Sequence, residues 1–149
     1  MNNMKIRYFV IAGSLIFALS QCSKSGSGGR PTISMENITS VVPVGGQLQA
    51  TLKFTQSNGL LSQGFFIAIR NRLNQDSLPP TDVGVDTVIS QIPEFPDKNQ
   101  GEFTYTLDYS YLHQSDTEND TINFKFAVID RGGNKSDTIS SGTVVVLKP

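Results

Sequence analysis

From Gln47 to Thr55 the chain alternates without a break: Leu48, Ala50, Leu52 and Phe54 interleave with Gln47, Gln49, Thr51, Lys53 and Thr55. The same period of two recurs from Glu102 to Tyr109, where Phe103, Tyr105, Leu107 and Tyr109 share a face. It recurs again from Thr121 to Asp130, with Ile122, Phe124, Phe126 and Val128. Successive side chains of a strand point to opposite faces, so each pattern predicts a strand with one buried and one wet side. Less regular strands fill the gaps. Thr32 to Ile38 places Ile33 and Met35 inward, and Gly64 to Arg70 is apolar enough to predict burial on both faces. Thr87 to Ile92 reads as a short edge strand, and Thr138 to Leu147, ending in a valine run, as the last strand.

Turn chemistry separates these segments at Pro43-Val44-Gly45-Gly46, Ser57-Asn58-Gly59, Pro79-Pro80, Pro93 to Pro96 and Arg131-Gly132-Gly133-Asn134. No stretch has an apolar helical period. Leu112 to Asn119 has room for one turn of helix but is polar and reads as loop. About seven short strands over residues 31–149 predict an all-β sandwich.

One stretch resembles a known family. Phe124-x-Phe126-x-Val128-x-Asp130, then Gly133-Asn134 and Ser136-Asp137, is similar to the end of bacterial immunoglobulin-like and fibronectin type III-like domains. The resemblance implies a single immunoglobulin-like/fibronectin type III-like β-sandwich of about seven antiparallel strands. Phe124 stands where many such domains carry tyrosine, so a tyrosine-corner hydroxyl bond is not expected from that position. There is no Trp and one Cys, which excludes the Cys…Trp…Cys core of antibody domains.

The N-terminus follows a different logic. Lys5 and Arg7 precede the apolar run Tyr8 to Leu19, whose 12 residues fall short of a membrane span; a spanning helix needs about 20. A basic region followed by a short apolar one is the layout of a secretory signal peptide. Leu19-Ser20-Gln21-Cys22 resembles the lipobox of bacterial lipoproteins of the Bacteroidota-like kind, with Gln21 where Gly or Ala is usual. The resemblance implies that residues 1–21 are a lipoprotein signal peptide and that Cys22 becomes the acylated N-terminus. The alternative is an ordinary signal peptide with a free cysteine beside the cut, although no A-x-A-like motif is present. Residues 22–30 read as a flexible Gly/Ser tether, and residues 31–149 as the sandwich. Ser23, rather than Asp, resembles the sorting signal for the outer membrane. The absence of an acidic cluster after Cys22 favours a periplasm-facing position.

Composition narrows the function classes. After loss of Lys5 and Arg7, ten basic residues face thirteen acidic ones, a formal net charge of −3. No Lys/Arg run forms a patch, so nucleic acid is not an expected partner. With Cys22 acylated no disulfide forms, and the domain must be held by packing alone.

Few residues invite chemistry. His113 is the sole histidine and reads as an exposed loop residue; no G-x-S-x-G elbow accompanies it. Asp116, Glu118 and Asp120 form the densest acidic cluster and are weak calcium candidates. They lack the order of an EF-hand loop and read as a solvated loop. Asp97, Asp130 and Asp137 join a metal site only if loops converge. Paired carboxylates at a glycosidase separation are not evident. Phe65, Phe66, Phe95, Tyr109 and Tyr111 are the aromatic candidates for sugar stacking, most of them expected in the core, with Phe95 between prolines either exposed or folded back.

The expectation is therefore a non-enzymatic lipoprotein with no cofactor. Its partners are membrane lipid, through acylated Cys22, and an envelope protein that meets an edge strand or an end loop. The alternative is an accessory lipoprotein of an outer-membrane uptake system that binds a glycan or another ligand.

Overall fold

The computed structural model describes residues 29–57, 60–74 and 84–149. Cys22, the 1–21 segment, most of the 22–30 tether, Asn58-Gly59 and Pro79-Pro80 lie outside the described residues. Eight strands and one helical turn follow in order: β1 (Thr32–Ile38), β2 (Val41–Val42), β3 (Gln47–Thr55), β4 (Phe65–Arg72), β5 (Val85–Gln91), β6 (Gln100–Asp108), α1 (Tyr109–Leu112), β7 (Asp120–Ile129) and β8 (Ile139–Val146). They form a three-stranded sheet ordered β1-β3-β6 and a five-stranded sheet ordered β2-β8-β7-β4-β5. β1, β3 and β6 take the places of immunoglobulin strands A, B and E, and β4, β7 and β8 those of C, F and G. The fold is thus the all-β, immunoglobulin-like/fibronectin type III-like sandwich expected from the pattern. The strand beyond the expected seven is β2, whose two residues pair parallel with Val145 and Val146 of β8. Among the described residues no helix is long and apolar enough to cross a membrane.

The period-two segments became the strands with the cleanest burial. On β3, Leu48, Ala50, Leu52 and Phe54 are buried. They lie opposite Leu107, Tyr105, Phe103 and Gly101 of β6. A Cβ on Gly101 would come within 2.9 Å of the Phe54 ring, so glycine here is what lets that ring lie across the neighbouring strand. β7 supplies Ile122, Phe124, Phe126 and Val128 from one face. Phe124 and Phe126 stack at 5.8 Å, and Phe66 of β4 lies 5.5 Å from Phe126. Each such side chain contributes about 1.5–3 kcal/mol by leaving water.

Two features depart from the simple alternation. β4 is not buried on both faces: Phe65 is 45% exposed, and Ile67 and Ile69 are half-buried. An antiparallel sheet needs cover on one side only, and β4 is antiparallel to both neighbours. β8 carries a bulge opposite β7, where the register shifts between Asn123 and Lys125. Gly142 sits there at φ +74°, and the Ser141 hydroxyl accepts the Phe124 N–H at 2.9 Å. The side chain thus takes up a donor that the irregular ladder leaves over.

Among the described residues β5 and β6 are the edge strands that flank one lateral side of the sandwich. Their inward residues, Asp86, Val88 and Ser90 on β5 and Phe103, Tyr105 and Leu107 on β6, are only half-buried for that reason. The last loop before β7 closes one end of the core and holds most of the polar chemistry.

Candidate functional site

On β4 the inward alternation runs Phe66, Ala68, Arg70, Arg72, so the strand changes from apolar to cationic without changing face. Those two arginines have to be met by polar groups, because a buried charge without a partner is costly. Arg72 is met by β7 and the loop before it. Its Nε donates to Asp120 Oδ1 at 2.7 Å and its Nη2 to Glu118 Oε1 at 2.7 Å. Asp120 Oδ2 accepts the backbone N–H groups of Gln114 and Ser115 at 2.7 and 3.1 Å. Burial opposes the Arg72 charge, but the hydrogen bonds to Asp120 and Glu118 outweigh it and hold the Arg72 pKa above its ordinary value.

His113 belongs to the same network. Its Nε2 lies 3.0 Å from Asp116 Oδ1 and its Nδ1 3.5 Å from Asp120 Oδ2. Its ring stacks on Tyr109 at 5.0 Å. The Tyr109 hydroxyl donates to the Leu147 carbonyl at 2.7 Å, tying α1 to the end of the chain beyond β8. Phe124, by contrast, is buried in the core and has no hydroxyl to donate.

The acidic cluster therefore does not read as a solvated loop, and His113 is not an exposed residue. Asp116 alone is in water; Glu118 is partly covered and the Asp120 side chain is fully buried. His113 Nε2 bonds Asp116, and its buried Nδ1, 3.5 Å from Asp120 Oδ2, has no hydrogen-bond partner among the described residues; both nitrogens thus face carboxylates rather than a serine hydroxyl as a relay would require. Among the described residues no group of three or more His, Cys, Asp or Glu side chains could hold a metal ion. Asp97 pairs with Arg131 at 3.0 Å and Asp137 with Arg30 at 3.6 Å. Asp130 is buried and accepts the backbone N–H of Asn134 at 2.8 Å, which shapes the turn after β7 together with Gly133 at φ +80°.

Arg70 has a different set of partners, which sequence reasoning missed. Its Nη1 donates to the Tyr111 carbonyl, and its guanidinium lies 4.7 Å from the centre of the Tyr111 ring. The Tyr111 hydroxyl donates to Asp86 Oδ2 at 2.6 Å, joining α1 to β5. This bond lowers the Asp86 pKa, while burial and the bond to Asp86 raise that of Tyr111. Tyr105, raised by burial and by the Asp86 charge, has a buried hydroxyl with no partner among the described residues. The signal was present in the period of β4, which put Arg70 and Arg72 on the face of Phe66 and Ala68.

The aromatic candidates are mostly structural. Phe66 is core, and Tyr109 and Tyr111 are half-buried with bonded hydroxyls. Phe95 folds back, 5.7 Å from Phe54, with its N–H donated to Ser62 Oγ at 3.0 Å. Between Phe54, Phe95 and Phe103 lies a groove of about 300 Å³ rimmed by Glu94, Lys98 and Glu102. A shallower polar depression of about 660 Å³ is lined by Gly45, Gln47, Gln49, Asp108 and Tyr109.

No family model and no curated protein matches the chain. Among solved structures it is similar to the cohesin module of a Clostridium perfringens family 33 glycoside hydrolase. That match has 12% identity and a TM-score of 0.38, over 80% of this chain and 98% of the module. It is also similar to the sporulation control protein of Bacillus subtilis, at 11% identity and TM-score 0.41, over 81% of this chain and 51% of that one. The major pilin subunit of Bacillus cereus matches at 13% identity and TM-score 0.37, over 79% of this chain and 40% of the pilin. The chain thus spans about half of the sporulation protein and less than half of the pilin. The fold assignment stands on strand order and register, not on these likenesses.

Proposed function

We propose that the chain is a lipoprotein of the cell envelope, held by acylated Cys22 at the outer membrane and facing the periplasm. Its sandwich domain serves as a non-enzymatic structural or protein-interaction module. The observation that carries the non-enzymatic reading is how the polar candidates are used. Arg72 bonds to Asp120 and Glu118, Asp120 to the loop backbone and His113 to Asp116, which braces the end of the sandwich. The anchor rests on the basic and apolar N-terminal segments followed by Leu19-Ser20-Gln21-Cys22. Several acyl chains on one residue hold a protein firmly, since each buried CH₂ contributes about 0.8 kcal/mol.

Fractionation tests the anchor. The wild-type chain is expected in the membrane fraction and Cys22→Ser in the soluble periplasmic fraction. Equal membrane partitioning of the two would refute it.

A second reading, a glycan- or ligand-binding accessory role in an outer-membrane uptake system, is favoured by one observation. That is the aromatic groove of Phe54, Phe95 and Phe103. Retardation on a polysaccharide affinity gel that Phe95→Ala abolishes would establish it over the first reading.

A further inference from the structure

Among the described residues the sandwich has four lateral edges, and three of them carry features that discourage pairing. β1 is bulged where its register with β3 shifts between Met35 and Asn37. The edge beside β8 is occupied by β2, only two residues long. β6 turns Glu102, Thr104, Thr106 and Asp108 outward, so its wet face has no apolar surface to bury. Bulges, very short strands and outward charges are the usual protections of a sheet edge. β5 has none of these. It pairs with β4 over seven consecutive rungs without a register shift and contains no Pro, Lys or Arg. Its outward face carries Val85 at 58% and Ile89 at 63% exposure. Beside them on β4 lie Phe65, Ile67 and Ile69.

We propose that β5 pairs antiparallel with β5 of a second copy of this chain, joining two five-stranded sheets edge to edge. Centring the pair on Val88 uses all seven residues. Val88 then faces Val88 of the second copy, Thr87 faces Ile89, Asp86 faces Ser90 and Val85 faces Gln91. No like charges meet, and the only carboxylate on the strand lies opposite a hydroxyl. Asp86 does not oppose pairing as a stranded inward charge would, because Tyr111 of its own chain already bonds it at 2.6 Å. On the outer face, Ile67 and Ile89 of one copy run on to Thr87 and Ile69 of the other. Ile89 also gains Val85 and Ile89 of the second copy as diagonal neighbours, at roughly 7–8 Å between backbones. The contact is isologous and closes on itself, so it ends at a dimer. This deepens the interaction-module reading by naming the partner, and it does not depend on the lipid.

Disulfide trapping tests the register. The full chain carrying Cys22→Ser, purified in mild detergent, has no other cysteine. Val88→Cys in that background is expected to oxidise to a covalent dimer. Val85→Cys, six residues from its symmetry mate along the pair, is expected to stay monomeric. Sedimentation should give twice the monomer mass for the parent and the monomer mass for Ile89→Lys, with unchanged far-ultraviolet circular dichroism. A monomeric parent overturns the proposal. So does a dimer that survives Ile89→Lys and is not trapped at position 88, since its interface lies elsewhere. Neither outcome bears on the partitioning of Cys22→Ser, so the two proposals fail separately.

Discussion

Arg72 Nε lies 2.7 Å from Asp120 Oδ1, with the two side chains 3% and 0% exposed. The pair connects the end of β4 to the start of β7, and Asp120 in turn holds the backbone of Gln114 and Ser115. It is a brace between a central strand and the loop that closes the core.

Removing Arg72 leaves Asp120 fully buried without its cationic partner, and removing Asp120 takes from buried Arg72 one of its two carboxylates. Arg72→Met or Asp120→Leu alone is expected to lower unfolding free energy by about 3–5 kcal/mol. The double variant Arg72→Met/Asp120→Leu should recover part of this, because neither fully buried charge remains, although partly exposed Glu118 loses Arg72 and the Gln114 and Ser115 donors still lose their acceptor. Urea titrations of the three variants give the coupling, and additive losses would contradict it.

The pair Asp86 and Tyr111 gives stability a dependence on pH at both extremes. Asp86 ionises more readily in the folded chain than in the unfolded one, chiefly through the Tyr111 hydrogen bond. Its contribution is complete above about pH 4 and is lost as pH falls below that. Tyr111 holds its proton more tightly when folded, chiefly through burial. Its contribution is complete below about pH 10 and is lost as pH rises further. Urea midpoints across this range should show Tyr111→Phe flattening both limbs and Asp86→Asn mainly the acid one.

Tyr109→Phe removes the hydroxyl that donates to the Leu147 carbonyl at 2.7 Å while keeping the ring on His113. A loss of about 0.5–1.5 kcal/mol is expected from one such bond. Hydrogen exchange should report faster opening of the C-terminal end of β8. Unchanged exchange there would show that the bond does not hold that end.

Gly142 sits in the β8 bulge at φ +74° with no heavy atom within 4 Å of an added Cβ. Gly142→Ala therefore tests backbone conformation without a steric clash. It should cost about 1–2 kcal/mol, the cost of a left-handed L-residue, whereas Ser140→Ala on the same strand should cost less. A melting-temperature series separates the two.

Much of the fold could be read from the residues. The alternating stretches became β3, β6 and β7 within two residues of their expected ends, because strict alternation has one solution when one face must be dry. The edge position of β5 was legible too, although the strand is longer than a short edge strand. The two-faced burial of β4 was not met. An apolar run shows that cover is available, not that a second layer exists to supply it. The candidate site was less legible still. Asp116, Glu118 and Asp120 alternate in an acidic stretch and look alike in sequence, yet one is in water and one is fully buried. What separates them is the position of Arg72, 48 residues from Asp120 along the chain.

By itself, then, the sequence determined the strand pattern, the sandwich class and the candidate lipidation motif at Cys22, because each depends on local period or local spacing. Only the tertiary structure decided which charges are buried, which tyrosines are bonded and which strand lies at an edge among the described residues. Those are pairings between segments distant in the chain. No residue carries the identity of its partner until the sheets have brought the two together.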